Sequence, residues 1–94
     1  MWFSPNDIKI HNPIKVLDLR GYVLPHAGTK YTGEIISHTL RFRPTKKIKR
    51  IFIIYYPATK EPDVEDMYHE YYVPLMSLQV FFGNKHLQYI GINV

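Results

Sequence analysis

The chain has no cysteine among its 94 residues. That excludes a disulfide framework, a Cys-ligated zinc and a thiol nucleophile. It also lacks a long apolar run: nothing approaches the roughly 20 residues that cross a bilayer as a helix. The N-terminal MWFSPNDIKI does not show the basic-then-apolar order of a signal peptide. The expectation is an intracellular setting, cytoplasmic by default, with a virion or organelle complex left open. Tryptophan is nearly missing, with one residue against eight Tyr. A buried Tyr must find a partner for its hydroxyl, so a load this heavy places some of them at a surface or an interface. Acidic residues are the scarcer charge, 8 against 12 Lys and Arg, for a net charge of +4 and a pI near 9.4. This balance permits an acidic partner without requiring one.

What is present is enough apolar matter for one small core: 46% of the residues are hydrophobic. Residues 1–13, with Pro5 and Pro13 among polar spacers, read as an irregular arm that needs something to lie against. Residues 14–94 read as a single small domain. Within Ile14–Leu24, the run Gly21-Tyr22-Val23-Leu24 ends at Pro25 and predicts a buried strand. After Gly33 the period changes to helical, with Ile35, Ile36, Thr39, Leu40 and Phe42 on one side. Thr32 is the expected N-cap, Glu34 sits in the first turn and Pro44 is the stop. Arg50–Tyr56 is a β-branched and aromatic run of the kind found in a central parallel strand covered on both faces. A second helix is expected from the spacing of Val64, Met67, Tyr71, Leu75, Leu78 and Phe82. Asp63 would cap it, Pro74 kink or split it, and Gly83-Asn84 end it. Leu87–Val94 alternates as a last strand. The order predicts a small three-layer β-α-β-α-β unit of the α/β class, with a mainly parallel sheet and right-handed crossovers. Sites in such sheets form at the carboxyl ends of strands, which points to Leu24–Gly28, within the stretch Leu24–Gly33, and to Tyr55–Lys60.

In the first of these, Gly28 and Gly33 have the spacing of a phosphate loop. The residues that follow are Glu34 and Ile35, where Lys and Ser or Thr are needed, and Glu34 would repel phosphate. His26 at a strand end is either a metal ligand or a histidine bonded to the glycine-rich turn, and the turn reading is the stronger. A metal site needs about three protein ligands. The other histidines are His11, His38, His69 and His86. His38 falls within the first helical pattern, and His69 with Glu70 lies off the apolar stripe of the second. Arg41, Arg43, Lys46, Lys47, Lys49 and Arg50 put six basic residues in ten positions around Phe42. That is either a solvated connection or a phosphate-contacting patch.

The segment LPHAGTKYTGEIISHTL resembles the Memo-like family, which shares its fold with class III extradiol dioxygenases. Pro25, His26, Ala27, Gly28, Tyr31 and Gly33 match the family pattern, and Thr29 replaces its usual aromatic. Lys49-Arg50-Ile51-Phe52-Ile53-Ile54 is similar to the family's basic pair and strand. Asp66–Pro74 is similar to its second helix and keeps Asp66, Glu70 and Pro74. The resemblance covers residues 20–94. It implies a shortened Memo-like fold with His26 as descendant of a metal ligand. The departures imply lost chemistry. Where the family has a ligand His after the second strand, this chain has Tyr56-Pro57-Ala58-Thr59-Lys60, and the family's helical His falls on Met67. His69 is two residues away, about 200° around a helix.

The first expectation is therefore a non-catalytic structural or interaction subunit of a larger assembly, without a cofactor. Other subunits or further copies would cover its sheet edges. One alternative is a residual metal-dependent protein, oxygenase- or redox-like, holding Fe, Cu or Zn through His26 with His69 or Glu70 assisting. The other is a nucleic-acid-contacting component using Arg41, Arg43, Lys46, Lys47, Lys49 and Arg50.

Overall fold

The computed structural model describes residues 2–56, 68–83 and 85–94. A 3-10 turn at Pro5–Asp7 leads to strand β1 (Ile14–Val16), helix α1 (Thr29–Leu40), strand β2 (Phe42–Pro44) and strand β3 (Arg50–Tyr55). A π-helical turn at Tyr68–Tyr72 then runs into helix α2 (Val73–Phe82), and strand β4 (Gln88–Asn93) closes the order. Both strand pairings are parallel, as expected for an α/β unit. The sheet comes in two pieces, however: β1 pairs with β2 and β3 with β4.

The first piece departs from the expected register of elements. Gly21–Leu24 is irregular, and the strand lies earlier, at Ile14–Val16. Gly21 weakens a strand and Pro25 cannot donate to a ladder. Val23 points to solvent while Tyr22 and Leu24 pack against the core, and the Tyr22 hydroxyl donates to the Phe42 carbonyl. Phe42 was expected on the helix, but α1 stops at Leu40 because residues 42–44 pair with β1. That pairing begins where Ile14 N donates to Arg41 O at 2.9 Å.

The N-terminal arm explains the other end of α1. The helix starts at Thr29, ahead of the expected N-cap Thr32, and its N-cap Gly28 offers no side chain. The arm substitutes for one. Thr29 N donates to Trp2 O at 2.8 Å, and Ser4 N donates to Thr29 Oγ1 at 2.8 Å. Thr29 Oγ1 in turn donates to Asp7 Oδ2 at 3.0 Å, bringing a carboxylate to the positive end of the helix. Further along, Lys9 N donates to Ser37 Oγ at 2.9 Å, and Ile8 enters the core. Thr32 Oγ1 instead bonds back to Ala27 O at 2.9 Å. The buried face of α1 is thus Thr29, Thr32, Gly33, Ile36, Ser37 and Leu40, while Ile35 is exposed. A small-residue face lets the arm lie close.

Pro74 divides the second helix as expected: a π turn precedes it and α2 carries it in its first turn, where its missing N–H costs nothing. Gly83 ends α2 at φ 75°, a conformation glycine adopts without a Cβ penalty. Asp63, Val64, Asp66, Met67 and Asn84 lie outside the described residues.

The core is Ile8, Ile36, Leu40, Ile53, Val73, Leu78 and Phe81, held between the two helices and one face of β3. β3 alternates: Ile51, Ile53 and Tyr55 turn inward, and Arg50, Phe52, Ile54 and the following Tyr56 turn out. This corrects the expectation of a strand covered on both faces. The second face is bare among the described residues, because both described helices pack toward the same side.

Candidate functional site

β3 has β4 on one side, and no described strand pairs with its other edge. Along that edge runs a cleft of about 640 Å³. One wall is β3 itself, Ile51–Tyr56. Pro74, Leu78 and Phe82 of α2 form the floor, and Leu19–Tyr22, Leu24 and His26 form the opposite wall. Leu24 and His26 of the expected strand-end stretch line this cleft, although the segment leading into it is not a strand.

Tyr22 is fixed by its bond to Phe42 O and by a tilted ring contact with Phe82 at 6.4 Å. Burial pushes its hydroxyl pKa up, and the nearby Arg43 draws it partly back. The Arg43 guanidinium lies over the rings of Phe81 and Phe82 at 5.3 and 5.0 Å, a cation–π pairing that ties β2 to α2. At the carboxyl end of β3, Tyr55 and Tyr71 rings approach to 4.8 Å and Tyr71 meets Tyr72 at 5.0 Å. Burial first, then Tyr55 and Tyr72, raise the Tyr71 pKa.

Two of the sequence-nominated residues come together here. His26 Nε2 and Glu70 Oε1 stand 3.8 Å apart, His26 more than half exposed and Glu70 largely covered. A protonated His26 makes an ion pair with Glu70 at this distance. Two side chains fall short of the three that a transition-metal site needs. No group of three His, Asp or Glu side chains converges among the described residues. The described residues alone do not complete a metal centre. The side chain of His69, and Lys60, lie outside the described residues.

The six basic residues differ in their surroundings. Arg43 is engaged by Phe81 and Phe82, and Arg41 is half-buried. Lys46, Lys47, Lys49 and Arg50 are exposed. His38 has a role that sequence alone did not indicate. Its ring stacks on His11 of the arm at 4.5 Å and 16°, with Glu34 4.0 Å away. The cleft-lining role of Arg20 had no sequence signal beyond its position in the segment that precedes His26.

No protein-family model matches the chain, no curated protein matches it, and no solved structure matches it.

Proposed function

We propose that this chain is a non-catalytic interaction subunit of a larger assembly, built on a shortened Memo-like α/β unit. The observation that carries this reading is the bare face of the β3–β4 sheet. Phe52, Ile54 and Tyr56 on β3 and its continuation are 57%, 70% and 66% exposed, and Val94 beyond β4 is 67% exposed. Register puts Phe52 beside Ile90 and Ile54 beside Ile92, so these side chains form one contiguous apolar face. Parallel sheets are almost always covered on both faces. A large aromatic offers about 150–250 Å², so the face as a whole presents on the order of 500 Å² of apolar surface. That is near the upper end of the roughly 300–600 Å² of a typical monomer's largest patch, and an equal area from a partner would bring the contact to about 1,000 Å², the lower limit of a specific interface.

The reading predicts that the purified chain does not persist as a dilute, well-folded monomer. Sedimentation over a dilution series checks this. A stable monomer at nanomolar concentration, with native exchange protection, contradicts it.

A second reading, residual metal dependence through His26, is favoured by the approach of Glu70 alone. Elemental analysis of purified protein decides it. Stoichiometric Fe, Cu or Zn that disappears in His26→Ala supports it, and its absence from the wild type removes it.

A further inference from the structure

We propose that the cleft beside β3 receives one extended peptide strand of a partner protein, which pairs with the free edge of β3. This rests on the interaction reading and deepens it by naming what the partner must supply.

The hydrogen-bond pattern sets the chemistry. Gln88 N donates to Lys49 O and Val94 N donates to Tyr55 O, both at 3.0 Å. In a parallel ladder, the N–H and C=O of one residue point the same way and alternate residues point to opposite edges. Lys49, Ile51, Ile53 and Tyr55 therefore direct their backbone groups at β4. Arg50, Phe52 and Ile54 direct theirs at the free edge, where the cleft is. A row of donors and acceptors about 3.3 Å per residue apart is met in full only by another strand.

The surroundings favour a single segment over the edge of a folded sheet. Tyr22 and Leu24 close the cleft on the far side, and Pro74, Leu78 and Phe82 lie beneath it. A strand lying there would be the third strand of the β3–β4 sheet and would continue its packing on α2. Alternate side chains of the occupant face that apolar floor, so the matching sequence has an apolar residue at every second position. The cleft adjoins the bare face of β3, whose Phe52, Ile54 and Tyr56 also line it, and adds the backbone groups of the strand edge, which the face does not offer.

The test uses the full chain and amide hydrogen exchange read by NMR. In the free protein, the amides of Phe52 and Ile54 exchange faster than those of Ile51, Ile53 and Tyr55. A capped hexapeptide of alternating threonine and valine, at millimolar concentration, slows Phe52 and Ile54 by about tenfold or more. The same peptide N-methylated at alternate amides does not. Three results overturn the proposal. Phe52 and Ile54 amides protected in the free protein at every concentration would mean that Gly21–Leu24 closes the edge. Protection that grows with protein concentration would mean that a second copy does. Exchange unchanged by the peptide would mean that the edge does not accept a strand. The first and third leave the sedimentation result untouched and the second would accompany self-association there, so loss of this proposal is distinguishable from loss of the interaction reading.

Discussion

At the scale of single residues, the positions that matter most are small ones. A Cβ added at Gly33 would lie 2.3 Å from the Asp7 carbonyl oxygen, which belongs to backbone and cannot swing aside. Gly33→Ala therefore pushes the arm off α1 and is expected to destabilise by about 1–3 kcal/mol, read as a lowered urea midpoint. An unchanged midpoint would mean that the arm is not seated there. Ser77 presents the opposite case. It is fully buried on α2 and its hydroxyl has no hydrogen-bond partner among the described residues. An unpaired buried hydroxyl costs about 1–3 kcal/mol. Ser77→Ala should hold or raise the melting temperature, whereas a clear fall would show that the hydroxyl is engaged. The sequence reading took both glycines of the His26 stretch as turn residues, whereas Gly28 is the N-cap of α1 and Gly33 lies within the helix. The reason for Gly33 was not visible in the sequence, because the residue it must admit, Asp7, is 26 positions away.

At the scale of elements, tyrosines tie the pieces together. Tyr22 joins the cleft wall to β2, Tyr71 packs its ring against Gly91 of β4, and the Tyr89 hydroxyl donates to the Gly83 carbonyl at the end of α2. Burial raises the pKa of all three, more than Arg43 lowers Tyr22. An unfolded tyrosine ionises near pH 10. The folded state holds these protons longer, so their contribution is fully present below pH 10 and is lost as pH climbs through the folded values. Stability measured by urea denaturation should be flat across pH 8 to 9.5 on this account and should fall above about 10. Tyr89→Phe should reduce the slope. A slope that Tyr89→Phe leaves unchanged would remove Tyr89 from this account. The helices and both strands of the second half were legible because their signals are local: a β-branched run, an alternating tail, a proline that splits a helix. The first strand was not. Ile14-Lys15-Val16 is three residues long and its pairing partner, Phe42–Pro44, contains Arg43 and a proline and follows Arg41, a pattern that reads as a helix end. What selects this pairing is tertiary: Tyr22 and Arg43 both reach Phe82 or its neighbours on α2.

At the scale of the whole molecule, the basic residues and the apolar surface divide the work differently from the sequence expectation. Six clustered cations suggested a patch. Arg43 is instead built into the packing, and the exposed four precede or begin the strand whose outer face is apolar. The sequence reading nominated both His26 and Glu70, and their side chains stand 3.8 Å apart. The bare sheet face was not legible, because a continuous apolar run looks the same whether one face is covered or two. That face is the centre of the account. The most direct test is sedimentation of the wild type and Ile54→Lys, a substitution at an exposed position that should change intrinsic stability by no more than about 0.5 kcal/mol. The account predicts that wild-type protein sediments as an oligomer, or with a co-purifying partner, and that Ile54→Lys sediments as a folded species of monomer mass. Two monomers of equal mass, equally folded and equally free of partners, would contradict it.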